Sequence, residues 1–303
     1  MKASKKIPFG IERKIISHIT TESWRNVPHV CFVYEADATG LMEEFKDLPQ
    51  PGREKVNFNT LLLRVIVEAI KAAPQVNAHI HYNRHTTAGF IDQLENIDIS
   101  MPWLLDDGKM MTVNLRDFGN KSLVEMAVCI ADVRRRIKCT NLELAMLDVS
   151  LRETLSLARQ GRFIEVLRRC WGAFAGKNRL RRFSRNEVKR HRAMPREDKL
   201  GVQDLERGSI AVSNIGASIR GLSGLMSILE IIPPQIFAIG ISAVQEKPSA
   251  VDGADGNKVI EIRKIMPICL SFDHRALDFG DVAPFIHALD NVFKNPELIH
   301  GWL

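Results

Sequence analysis

Two periods of apolar and polar positions alternate along this chain. HVCFVYEA, His29 to Ala36, is rich in β-branched and aromatic residues with little helical period, and predicts a strand. DATGLMEEFKDL follows it and predicts a helix closed by PQPG. NFNTLLLRVIVEAIKAA, Asn57 to Ala73, predicts a stronger helix. Leu62, Val65, Ile66, Ala69 and Ile70 share one face, Asn59 or Thr60 is placed to cap it, and Pro74 stops it. HIHYNR and TAGFID predict a short hairpin. IDISMPWLL and MMTVNLRD predict a second strand pair around the turn signal DDG. SLVEMAVCIADVRRRIKC predicts an amphipathic helix whose closing cations suit its dipole.

The middle of the chain changes character. LELAMLDVSLRETLSLARQ predicts a helix. RFIEVLRRCWGAFAGKNRLRRF begins as one, with Phe163, Leu167, Trp171 and Phe174 near one face. SRNEVKRHRAMPREDK reads as a polar, basic connector. After Gly208 the period shortens again, and SIAVSNIG, QIFAIGISAV and KVIEIRKIMPICLSF predict strands. DVAPFIHALDNVF predicts the last helix before the tail KNPELIHGWL. Strands and helices mix without strict alternation, which implies an α/β or α+β class with a mixed sheet.

Composition narrows the picture. Of 303 residues, 45% are hydrophobic and 26% charged, ordinary for a soluble globular protein. No apolar run reaches the roughly 18 residues of a membrane span, and the basic opening MKASKKIPFGIERK lacks a signal-peptide core. Cys31, Cys129, Cys139, Cys170 and Cys269 are scattered without metal-site spacing, so reduced thiols in a cytoplasm are expected. The net charge of +6 is uneven. From Arg152 to Lys199 fifteen lysines and arginines face five acidic residues, which leaves the rest of the chain mildly acidic. A basic insert in an acidic body points to an electrostatic contact made by that segment alone.

Candidate chemistry concentrates in two places. PICLSFDHRALDFG ends an apolar run abruptly at Asp273-His274-Arg275, with Asp278 four residues after His274. A strand end holds a side chain rigidly at a cleft, and an imidazole titrating near pH 6.5 is a ready general base. The structural alternative is a strand-end histidine paired with Asp273 or Asp278. A metal held by Asp273, His274 and Asp278 lacks a second cluster to complete its sphere. The second place is SIAVSNIGASIRGLSG, where a strand runs into a Gly/Ser-rich loop carrying Ser213 and Asn214. Neither a phosphate-binding nor a dinucleotide fingerprint is present, and GLSGL around Ser223 does not match a serine-hydrolase elbow. Ser213 reads either as part of a plain strand end or as a donor to a developing oxyanion.

These segments, with others in the right order, resemble the catalytic domain of dihydrolipoamide acyltransferases, the acyltransferase components of 2-oxo-acid dehydrogenase complexes. SFDHRALDFGDVAPFI is similar to their His-x-x-x-Asp-Gly signature, and VSNIG to their Ser-Asn-x-Gly segment. RKIISHITTESWRNVPHV, VNFNTLLLRVIVEAIKAAPQVNAHI, ENIDISMPWLLDDGKMMTVNLRD and IIPPQIFAIG resemble further segments. The likeness covers roughly residues 8 to 140 and 205 to 300. It implies an α/β (α+β) two-layer sandwich with a mixed sheet, chloramphenicol-acetyltransferase-like and trimeric. It also implies acyl transfer between a coenzyme A thioester and a thiol, hydroxyl or amine. His274 would be the general base, Ser213 the oxyanion donor and Asp278 an architectural residue paired with Arg13. Histidine and serine would come from different subunits, and no metal would take part. The resemblance leaves the CoA-binding residues unassigned.

Four departures qualify the resemblance. Phe279 stands where the family has glycine, so a different local turn is expected. KMMTVN lacks the family's proline. A basic, largely helical insertion occupies residues 141–200 of a single domain, 1–303. No lipoyl domain, subunit-binding domain or Pro/Ala-rich linker is recognisable, so a free-standing enzyme without a covalent lipoyl group, meeting its acceptor from outside, is expected. Two rivals stand beside it: a core acting on a separately encoded lipoyl domain, and a non-catalytic trimeric scaffold binding a partner through the insert. The stripe ending at Phe174 fits either an interfacial helix or core packing. The tail NPELIHGWL resembles the segment by which family trimers join into larger shells. No nucleic-acid motif accompanies the charge.

Overall fold

Residues 7, 9–105, 108, 110–159, 161, 163–174, 183–218, 223–253 and 255–303 are described by a computed structural model. Among them the helices are α1 Ile11–Asn26, α2 Thr39–Glu44, α3 Phe58–Ala72, α4 Leu123–Cys139, α5 Leu142–Arg159, α6 Phe163–Phe174, α7 Arg185–Ala193, α8 Val202–Leu205, α9 Ile215–Ser218 and α10 Phe279–Lys294. The strands are β1 His29–Asp37, β2 Ala78–Asn83, β3 Ala88–Gln93, β4 Ile99–Leu104, β5 Met110–Leu115, β6 Ile210–Asn214, β7 Phe237–Ile241, β8 Gln245–Asp252 and β9 Lys258–Asp273. They divide into two compact units, Met1–Glu22 with Asp132–Glu206, and Ser23–Ala131 with Arg207–Leu303.

The second unit is built on a mixed sheet in the order β1-β9-β7-β6-β4-β5, with β8 paired to β9 off that path. β2 and β3 form the separate hairpin that their sequences predict. β9 changes character along its length. Its first half pairs with β8 and is largely exposed, whereas Ile265–Asp273 is buried at every position between β1 and β7. A strand covered on both faces reads as a continuous apolar run, which is why PICLSF carries no alternation. α3 and α10 pack together beneath the sheet, and Phe285 of α10 meets Phe237 of β7 edge to face at 5.2 Å.

Two expectations change, and the tail takes a definite form. The cap of α3 is Asn57, whose extended backbone lets its side chain accept from the Thr60 N–H at 3.0 Å; Asn59 and Thr60 lie inside the helix. β8 is a strand that its polar composition and Pro248 conceal; among the described residues it pairs with β9 alone, an edge position that tolerates proline. The tail forms a short 3₁₀ segment, Pro296–Trp302, on its own chain. There Ile299 is buried, His300 meets Glu44 at 2.6 Å and Arg64 lies over the Trp302 ring.

In the first unit, the basic connector contains α7. Ser184 accepts from the Glu187 N–H while Glu187 reaches back to the Ser184 N–H, a capping box within a run dominated by charge. Arg136 is held by Asp132 and Asp204, and Leu200 N–H donates to the Thr140 hydroxyl, which ties the segment after α7 to α4. The core-packing reading of the α6 stripe is overturned: Phe163, Leu167 and Trp171 are exposed. The side chain of Phe174, the run 175–182, and Asp106 and Asp107 of the second strand pair's turn lie outside the described residues.

Candidate active site

His274 is the first residue after β9, and three backbone contacts fix it there. Its N–H donates to the Pro28 carbonyl at 3.0 Å, Asp273 N–H donates to the Ile236 carbonyl, and Asp273 lies opposite His29 in the β1–β9 register. His29 is itself pinned. Nδ1 lies 2.9 Å from the Val27 carbonyl and Nε2 accepts from the Ile231 N–H at 3.0 Å, so His29 is the neutral Nδ1–H tautomer. Pro28 and His29 thus build the floor from which His274 projects.

The two charged neighbours of His274 have a job that their spacing does not reveal. Asp273 is fully buried and Arg275 folds back onto it. Nε lies 3.0 and 3.2 Å from the two carboxylate oxygens and Nη2 2.6 Å from Oδ2, while Arg275 N–H also donates to Oδ1. The guanidinium lies 5.4 Å from the centre of the Tyr82 ring. The chain then closes a tight turn, Ala276 and Leu277 N–H both donating to the Asp273 carbonyl. This clamp forces His274, between the paired residues, outward while its neighbours turn in.

Within the turn, His274 Nδ1 lies 3.1 Å from Asp278 Oδ1 and 3.2 Å from the Leu277 carbonyl. Both partners are acceptors, so Nδ1 carries a proton, and in the neutral ring the lone pair then falls on Nε2. That is the tautomer a general base at Nε2 requires. Asp278 precedes α10, and its own N–H donates to Asp281 at 2.8 Å. Phe279 occupies the first position of α10, an ordinary helical site outside the left-handed region. Its ring packs edge to face on Phe32 at 6.3 Å and Phe272 at 5.3 Å, and Phe272 in turn contacts the His274 ring. Phe279 therefore sits without backbone strain at the position where the resemblance expects glycine.

Ser213 is buried near the end of β6, opposite Gly240 of β7. The following Asn214 caps α9 by accepting from the Ala217 N–H and donates to Asn59. Gly216 must be glycine, since a Cβ there would sit 2.6 Å from the Ser242 carbonyl and 2.8 Å from the Ala243 backbone. Gly240 pairs with Cys269 of β9, five positions before His274. At about 3.3 Å per residue, and two strands away, Ser213 and His274 of one chain are roughly 19 Å apart. They stand at opposite ends of the sheet. Arg13 is exposed on α1, in the other compact unit. Among the described residues no group of three His, Cys, Asp or Glu is placed to hold a metal, and Asp273 is committed to Arg275.

The sequence and fold have relatives. The family described as 2-oxoacid dehydrogenases acyltransferase (catalytic domain) matches residues 1–150 and 179–301, which leaves 151–178 outside the match. The acetyltransferase component of the pyruvate dehydrogenase complex of Zymomonas mobilis is 22% identical over 287 residues, covering 94% of this chain and 48% of that protein. The chain spans about half the length of the curated relatives it matches. A probable dihydrolipoamide acetyltransferase from Listeria monocytogenes shares the fold with a TM-score of 0.63 at 20% identity, over 97% of this chain and 96% of that one. The Azotobacter vinelandii dihydrolipoamide acetyltransferase, whose catalytic mechanism has been probed at a serine, a histidine and an asparagine, gives 0.62 at 18% identity over 98% and 94%.

Proposed function

Since the chain belongs to the family of 2-oxoacid dehydrogenase acyltransferase catalytic domains, we propose that it moves an acyl group between coenzyme A and a thiol, hydroxyl or amine acceptor. The observation that carries this reading is the presentation of His274 with Nδ1 engaged by Leu277 and Asp278, which leaves Nε2 as the base. Nε2 takes the acceptor's proton as the acceptor attacks the thioester carbonyl carbon. The Ser213 hydroxyl donates to the oxyanion that forms, a contribution typically worth about 10²–10³ in rate. The intermediate collapses, the carbon–sulfur bond breaks, and the imidazolium returns the proton to the departing CoA thiolate. Atoms and charge balance, and His274 ends as it began.

Ser213 and His274 act together only between copies of the chain, because the register separates them within one chain. This reading puts the site at an interface between copies, as in a homotrimer, and the solved cubic core of a pyruvate dehydrogenase complex with the same fold supports an oligomeric assembly. Facing channels for CoA and the acceptor supply proximity. Asp278 positions the imidazole, and Arg13 stays the candidate partner of Asp278 that the resemblance names. One catalytic domain over 1–303 with a basic helical insertion at 141–200 completes the reading. The names of the curated relatives favour a dihydrolipoyl thiol as acceptor.

Incubation with acetyl-, succinyl- and branched acyl-CoA in the presence of dihydrolipoamide, amines and alcohols tests the proposal. CoA release that disappears in His274→Ala supports it. Turnover unaffected by that substitution, or none with any pair, refutes it.

A further inference from the structure

α6 is docked inside out. Phe163, Ile164, Leu167 and Trp171 are 63, 68, 69 and 76% exposed. At about 100° per residue these four span an arc of only ~100°. The opposite side of the helix, with Glu165, Val166, Arg169 and Ala173, is the less exposed one. Arg169 reaches Glu153 of α5 at 3.1 Å, and α5 and α6 pack against each other. A helix of a soluble domain ordinarily turns its apolar stripe inward, and contiguous exposed apolar surface marks a contact site. Leu151 and Leu155 of α5 are exposed as well. All six residues fall within 151–178, the stretch outside the family match, so the feature is an addition to the catalytic domain.

We infer that the apolar face of α6 docks on an anionic lipid surface, seating this chain at a membrane without crossing it. Charge selects this occupant. The segment from Arg152 to Lys199 carries ten more cationic than anionic residues. Arg168, exposed, stands at the edge of the apolar arc, and in the same unit Arg185, Lys189 and Arg192 line one open face of α7. A second copy of so basic a segment would be repelled, whereas anionic headgroups attract each cation close to the surface. Large aromatic and aliphatic side chains on one face with arginines beside them are what an interfacial helix presents to the headgroup boundary. Among the described residues no helix is long and apolar enough to cross a membrane, which fits a surface mode.

Co-sedimentation of the full chain with phosphatidylcholine vesicles, with and without one-quarter phosphatidylglycerol, tests this. Binding is expected only with the anionic lipid, is weakened by salt, and falls at least about tenfold in the Leu167→Glu/Trp171→Glu double variant. A single Trp171→Phe variant guards against misfolding of the double one: vesicles shift the fluorescence of the unsubstituted chain to the blue, and this variant lacks that shift. Absence of binding, equal binding to neutral vesicles, or undiminished binding by the folded double variant overturns the inference. So does a double variant that loses oligomeric mass while the unsubstituted chain ignores vesicles, which would make the face a contact between copies.

Discussion

Arg275 grips the fully buried Asp273 through both carboxylate oxygens, and the residue between them, His274, is thereby turned out of the sheet. The pair is a strut for His274. Arg275→Ala leaves a buried carboxylate without its cation and is expected to cost about 3–5 kcal/mol of stability. Denaturant unfolding of the variant against the parent chain measures it. A loss below about 1 kcal/mol would show that the clamp carries no such burden.

Phe279 stabilises through its ring. It begins α10 in ordinary helical backbone and packs on Phe32 and Phe272. Phe279→Gly is therefore expected to cost about 1–2 kcal/mol, from lost ring contacts and added chain entropy. Thermal unfolding checks the direction: a more stable glycine variant would show that the position carries strain.

Gly216 sets the path of the chain beyond Ser213. A methyl group there meets the Ser242 carbonyl and the Ala243 backbone well inside contact distance. Gly216→Ala is expected to destabilise by about 1–3 kcal/mol and to lower kcat by displacing the Ser213 hydroxyl. Unfolding and turnover measured on the same preparation check both effects. Unchanged values for both would remove Gly216 from the account.

His79 makes the fold sensitive to acid. Burial lowers its pKa from the ordinary 6.5, against a raising contribution from the Gly208 carbonyl 3.4 Å from Nε2. Protonation therefore favours the unfolded chain. The stability linked to this group is present above pH 6.5 and is lost as the pH falls through the lower folded value. His79→Gln is expected to flatten that decline, as followed by urea midpoints between pH 7 and 5. An unchanged slope would assign the acid sensitivity elsewhere, with His191, whose pKa burial also lowers, the next residue to replace.

Much of the fold was legible because local period and burial agree. The α3 face, both hairpins and the buried half of β9 follow from their patterns. The misses have physical causes. α7 hid in a run so charged that its Ser184–Glu187 box carried the only helical signal. β8 hid because an edge strand needs no apolar face. At the candidate site, the residue types at 213, 274 and 278 were readable from ordered motifs. The grip of Arg275 on Asp273 was not, since residues two apart in a strand do not meet until the chain turns. The separation of Ser213 from His274 depends on strand order and direction, which no local window contains.

That separation gives the most direct test of the central claim, that His274 of one copy and Ser213 of another form one acyl-transfer site. His274→Ala and Ser213→Ala chains, each nearly inactive alone, are dissociated, mixed in equal amounts and reassembled. A site of the proposed kind draws its histidine from one chain type and its serine from the other, so random assembly restores about a quarter of the parent CoA release. Activity that stays at the level of the separate variants, in mixtures shown by mass to contain both chains, would contradict it.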